Sequence, residues 1–308
     1  MKFTYNWLKD FVDLKISPQA LAEKLTMAGI EVESIEKKEA DFVFSIEITS
    51  NRPDWLSIVG IAREVAAVTS SKLKISKLTI RRSHSKSIKQ SSCNLKPVSI
   101  RIEDKKDCLL YTAKIIKGVK VGPSPEWLRK RLELIGCRSV NNVVDITNYC
   151  LFELGEPLHA FDLDKLSGSE IFIRRAKNKE KLLTIEGGEK LLNQEDLVIA
   201  DQDNALALAG VIGGKDSEVT HETRNILLEA AVFDPVLIRC SRRKAGIQTD
   251  SSYRFERGVD LGAVEAASLR AAQLIEDLCA GKTVFCTKDG SPEIKKTTVN
   301  LDLANLNN

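Results

Sequence analysis

One stretch, Cys137–Leu166, gathers the side chains best able to do directional chemistry. It places Asn141, Asn142, Asn148, Asp145, Asp162, Asp164 and His159 around an apolar helical run and a Gly-Glu-Pro turn at 155–157. Asparagine suits a helix interior poorly, because its amide competes for backbone hydrogen bonds. So many directional groups in one segment suit a site that grips a polar ligand. A second candidate is Glu229, in the otherwise apolar run NILLEAAVF. A carboxylate there is costly unless it finds a donor. Its plain alternative is a solvent-facing position on an alternating strand, or a pair with a structural arginine such as Arg239. His159, between Leu158 and Ala160, is usually a satisfied structural histidine when read alone, and a neutral imidazole there could orient water. Arg254, Glu256 and Arg257 alternate charge around Phe255 and suit an ionic network with the segment around Asp162, or an RNA contact.

Other chemistries are excluded by spacing. Gly214-Lys215 has Ala209 where a P-loop needs its first glycine, and Gly281-Lys282-Thr283 has Glu276 there. No G-x-S-x-G supports a serine nucleophile. The seven cysteines include no C-x-x-C and no Cys/His array, so no zinc site is expected, and they read as reduced core residues of a cytoplasmic protein. A net charge of +3 gives no bulk attraction to nucleic acid. The N-terminus has no apolar signal core, and no apolar run reaches the ~20 residues that span a bilayer.

These residues must be positioned by a chain of 308 residues, long enough for about two domains. Residues 1–76 read as a first unit. It has an amphipathic opening at Phe3–Phe11 and a helix from Ser17-Pro18 to Gly29. Strands follow at Glu31–Glu36 and Phe42–Ile48, then a helix from Pro53 through Val68. Residues 77–95, rich in Ser and Lys, read as a linker. Residues 96–290 mix strands and helices. Strands are expected at 98–102, 111–117, 171–175, 182–185, 197–200, 206–212, 226–233 and 283–287. Helices are expected after Ser124-Pro125, at Asn142–Leu154, at Pro235–Lys244 and at Leu261–Leu278. Gly187-Gly188 and Asp201–Asn204 suit hairpin turns. This order predicts an α+β fold of mixed sheet and helical layers rather than a doubly wound sheet. Residues 291–308 read as the start of a further domain.

Cys137–Leu166 resembles the centre of the bacterial phenylalanine–tRNA ligase β subunit. Lys2–Asp13, Ile46–Ala67, Ala205–Gly214, Asn225–Pro235 and Gly246–Asp260 are similar to the same family in the same order. The resemblance implies an N-terminal (B1-like) unit, a B3/B4-type editing domain at 96–290 and a B5-like start at 291–308. The family's OB-like RNA-binding insertion is absent, because only EKKEAD separates Ile35 from Phe42. The resemblance places the family's helical, pseudo-catalytic and anticodon-binding domains outside these 308 residues. A split subunit, a paralogue and an incomplete gene product all remain open, as does a separate chain supplying the missing domains.

The resemblance further implies hydrolysis of tyrosine wrongly esterified to tRNA(Phe). Partners would be the tRNA(Phe) 3′ end and the α subunit, with no membrane. Aminoacylation would belong to the α subunit. ATP and Mg2+ would serve only the complete ligase, with no cofactor in this chain. Tyrosine differs from phenylalanine by one hydroxyl, so a second pocket can test for it directly. Glu229 fits as the acceptor. Phenylalanine would leave it unpaired, at about 1–3 kcal/mol or more. His159 would line the pocket near the scissile ester. Thr249 corresponds to the family's editing threonine, or simply caps a helix. The family's Thr-Asp-Ala-Ser is here Thr249-Asp250-Ser251-Ser252, one hydroxyl more. Ala209 and Gly210 would line the pocket, or pack tightly ahead of Gly213-Gly214. Asn142 and Asp145 would bind the amino group or ribose, or cap their helix. A non-catalytic module that binds RNA or the α subunit, or an inert shortened paralogue, is the alternative.

Overall fold

A computed structural model describes residues 1–74, 98–291 and 298–301. The expected linker at 77–95 lies outside the described residues, as does most of 291–308.

The first unit is a three-stranded antiparallel sheet backed by helices. Strand β1 (Lys2–Thr4) leads directly into the single turn α1 (Tyr5–Leu8), so the opening is a strand and a turn. Ser17 caps α2 (Pro18–Met27) by accepting from the Ala20 amide, with Pro18 at the first helical position as its fixed φ favours. Strands β2 (Val32–Lys38) and β3 (Asp41–Ile46) form a hairpin, giving the order β1-β3-β2. The helix expected from Pro53 instead opens as a 3-10 turn over Pro53–Leu56. Ser57 then extends the chain and its hydroxyl caps α3 (Ile58–Thr69), accepting from the Gly60 amide at 2.9 Å.

The second unit builds three layers. Its central sheet takes β5 (Cys108–Lys117), β6 (Leu158–Asp162), β13 (Asn225–Phe233) and β14 (Lys282–Gly290) in the order β14-β5-β13-β6, all antiparallel. A second sheet takes β4 (Ser99–Ile102), β7 (Glu170–Arg175), β10 (Leu197–Ala200), β11 (Ala205–Leu208) and β12 (Ile212–Gly213) in the order β12-β11-β10-β7-β4. A separate hairpin joins β8 (Glu180–Leu183) to β9 (Glu189–Leu192) around Gly187-Gly188. The helices are α4 (Glu126–Leu134), α5 (Asn142–Leu154), α6 (Pro235–Ala245), α7 (Asp250–Phe255) and α8 (Val264–Cys279). The fold is α+β.

Strand periodicity decides which residue faces which layer. On the central sheet, Ile116, Leu158, Ala160, Ile226, Leu228 and Ala230 face α5 and α8, sharing a core with Ile146, Ala271 and Ile275. The alternate residues Tyr111, Ala113, Ile115, Phe161, Leu227 and Ala231 face the second sheet, among Ile173, Val198 and Leu208. The helix-side core continues into the first unit. There Trp7 stacks on Tyr149 with ring centroids 4.8 Å apart. Arg131 also reaches Asp10 at 2.6 Å.

Two expectations are corrected here. The expected strand 206–212 is a tight hairpin, because Gly210 takes a left-handed φ of +66° and Leu208 pairs with Ile212. The charges of YRFERG do not reach Asp162. Glu256 pairs with Arg242 and Arg257, and Arg254 pairs with Asp250. Asp162 instead accepts from Thr223 at 2.6 Å and from the Asp164 amide at 3.1 Å, and Asp164 accepts from Asn225. Those aspartates hold the β6 exit in place.

Candidate functional site

The site grows from one register. Glu229 on β13 pairs directly with His159 on β6, so acid and imidazole stand side by side on the face turned to the second sheet. Both line a cleft at one end of the two sheets. Leu158 and Pro157 flank it on the central-sheet side. Ile199, Ala207, Ile212 and Gly213 close it from the second sheet, the Gly210-Val211 turn forms one rim, and Ser251 and Phe255 of α7 form another. Its atom-free space is about 380 Å³, part of it open to solvent.

Glu229 is 5% exposed and has one internal partner. The Tyr111 hydroxyl donates to its Oε2 at 3.2 Å. Burial pushes the carboxyl up to about 8, and the Tyr111 bond pulls the other way. Arg239 is exposed and makes no ion pair with it. His159 is shifted in the opposite sense, down to about 4, by burial. Its ring meets Phe161 edge-on at 4.5 Å, and its buried Nε2 has no hydrogen-bond partner among the described residues. A neutral imidazole with an unpartnered nitrogen can accept or donate one bond to a molecule entering the cleft. Glycine at 213 is needed for that ring, since a Cβ would sit 2.7 Å from His159 Cε1.

Of the other expected residues, only Gly210 also lines the cleft. Ala209 is fully buried one position away, its amide donating to the Leu197 carbonyl at 2.9 Å, while Ala207 takes the lining role. Thr249 serves as the N-cap of α7 in a reciprocal capping box with Ser252. Its hydroxyl also donates to the Val211 carbonyl at 2.9 Å, tying α7 to the cleft rim. The side chain facing the cleft is that of Ser251, two residues on. Asn142 and Asp145 are not in the cleft. Asn142 bridges Gly122 and Lys120. Asp145 accepts from Ser124, Ser139 and the Val140 amide. These bonds engage both side chains at the start of α5, outside the cleft.

Tyr111, Ala207, Gly213 and Ser251 were not singled out by sequence. For Tyr111 a signal existed: a phenol inside an apolar strand needs a partner for its hydroxyl. Both sides of the pair lacked any mark of which strands would be neighbours. No helix among the described residues is long and apolar enough to cross a membrane.

Residues 107–280, which hold the cleft, match the model of the B3/4 domain family. A phenylalanine–tRNA ligase β subunit from Rhodopirellula baltica is 43% identical over 294 residues, 96% of this chain and 42% of that protein. Its counterpart from Geobacter metallireducens is 45% identical over 256 residues, 82% of this chain and 31% of that protein. The chain thus spans less than half the length of these relatives. An N-terminal fragment of the phenylalanyl-tRNA synthetase β subunit from Pyrococcus horikoshii aligns over 80% of this chain and 74% of its own, at 14% identity and a TM-score of 0.40. The chain belongs to the B3/4 domain family and groups with the phenylalanine–tRNA ligase β subunits.

Proposed function

We propose that this chain is a portion of a phenylalanine–tRNA ligase β subunit whose own chemistry is hydrolysis of tyrosine wrongly esterified to tRNA(Phe). The observation that carries the reading is the Glu229–His159 pair lining one cleft between two apolar sheets. A cleft that sets one acid and one imidazole among Ile199, Ile212 and Phe255 suits an aromatic side chain that carries a hydroxyl. Glu229 Oε1 makes no hydrogen bond among the described residues, so it is free to read a phenolic hydroxyl. A phenylalanyl side chain offers that oxygen nothing and leaves a buried polar group unpaired.

The unpartnered Nε2 of His159 positions the attacking water or a hydroxyl of the terminal ribose. With its basicity depressed it is a poor proton acceptor, so it acts by orientation. The ribose supplies the remaining assistance. ATP and Mg2+ enter only with the complete ligase. The α subunit is the partner for aminoacylation, in the cytoplasm.

The test is a deacylation time course with tyrosyl-tRNA(Phe) and phenylalanyl-tRNA(Phe), with and without the α subunit. The reading expects loss of the tyrosyl ester and survival of the phenylalanyl ester. Binding to the α subunit with neither ester hydrolysed would instead favour a non-catalytic module.

A further inference from the structure

We propose that Tyr111 is a positioning residue that presets the orientation of the Glu229 carboxyl, and so sets the preference for a phenol. The proposal rests on the editing reading above. Tyr111 pairs across the β5–β13 ladder with Ala231, and Glu229 pairs with Ala113. The two side chains are therefore diagonal neighbours on one sheet face, within reach of a long phenol. The Tyr111 ring is fully buried in the core between the sheets, among residues such as Ile115 and Phe161. It cannot swing away without opening that core. Its hydroxyl donates to Glu229 Oε2, which leaves Oε1 without a hydrogen bond among the described residues.

A carboxyl on a flexible stem would otherwise sample several rotamers in the cleft. One fixed oxygen removes that freedom and aims the other. The remaining groups around Glu229 do not offer the same restraint. His159 on β6 makes no hydrogen bond to it, and Cys108 on β5 donates to the Leu110 carbonyl. Glu156, buried in the turn before β6, is an acid with both oxygens unpartnered among the described residues. Ile199, Ala207, Ile212 and Gly213 across the cleft, and Ser251 and Phe255 on α7, carry no charge. Tyr111 is thus the one donor fixed on the specificity acid among the described residues.

The experiment compares the wild-type full chain with Tyr111→Phe, which removes one oxygen and keeps the ring. Two quantities are read: the carbon-13 titration of the Glu229 carboxyl, assigned with E229Q, and kcat and KM for each charged tRNA. Loss of the donor should raise the Glu229 midpoint by about one pH unit. It should cut the tyrosyl-over-phenylalanyl preference about tenfold through a higher KM for the tyrosyl ester, with phenylalanyl hydrolysis unchanged. Should Tyr111→Phe not fold, 3-fluorotyrosine at 111 gives a stronger donor of nearly the same shape and should move the midpoint down. An unmoved midpoint, or equal loss for both esters, overturns the proposal. A preference that survives Tyr111→Phe removes this proposal alone, whereas a wild type without preference removes the editing reading as well.

Discussion

Glu229 and His159 stand directly opposite each other on adjacent antiparallel strands, yet they do not form an ion pair. Burial raises the acid to about 8 and lowers the imidazole to about 4, so between those limits both are uncharged. Two neutral polar groups are far cheaper to hold in an apolar cleft than two charges. Each also keeps an atom free for a ligand, where an ion pair would have consumed both.

Gly213→Ala should disable the cleft by displacing the His159 ring while both polar residues stay in the sequence. The added Cβ would lie 2.7 Å from Cε1 and 3.0 Å from Nε2 of His159, so the ring must move. We expect deacylation to fall at least about tenfold, with about 1–3 kcal/mol lost from overpacking. The ring signals of His159 should shift in the same variant. Unchanged signals with full activity would show that the ring is not confined as described.

Thr249 gives a prediction of the opposite kind, in which structure dominates. Thr249→Val removes the cap on α7 and the bond to the Val211 carbonyl. Chemical denaturation should show a loss of about 0.5–2 kcal/mol. Thr249→Ser keeps both bonds and should restore most of the stability and the activity. If serine restores stability but not hydrolysis, Thr249 has a role in the chemistry beyond capping.

Stability should also carry the mark of Glu229. Its ordinary value is 4.5 and its folded value about 8, so the folded chain retains a proton that the unfolded chain releases. That contribution is fully present below pH 4.5 and is lost as pH rises through about 8. His159 acts in reverse, stabilising above 6.5 and losing that contribution as pH falls through about 4. Urea denaturation at pH 5 and 8.5 should therefore show a smaller decline for Glu229→Gln than for wild type, by about 2–4 kcal/mol. Glu156, also raised by burial, keeps the decline from vanishing. Identical declines would mean that Glu229 is not buried as a neutral acid.

Much of the fold was legible because periodicity and caps are local. Ser17-Pro18, the Gly187-Gly188 turn and the α5 run each carry their own signal, and each forms as expected. The strand holding His159 was not legible, since LHAFD is short and follows a helix and a proline. Gly210 was read within a strand because ALALAGVI is apolar throughout, and only its left-handed φ reveals the hairpin. Site residues divided along the same line. Glu229 and His159 were legible as oddities in apolar surroundings. Asn142 and Asp145 looked identical in kind, but long-range bonds to residues 120–124 and 139–140 claim them. Tyr111 could be linked to Glu229 only once β5 and β13 were known to be neighbours, 118 residues apart in the chain.

The most direct measurement is the ratio of tyrosyl- to phenylalanyl-tRNA(Phe) hydrolysis by wild type and Glu229→Ala, each shown to be folded. With the acid present the ratio should lie well above one, by about tenfold or more for one buried hydrogen bond to an acid. Without it the ratio should collapse to about one. A wild-type ratio of one, or an alanine variant that still prefers the tyrosyl ester, would contradict the account.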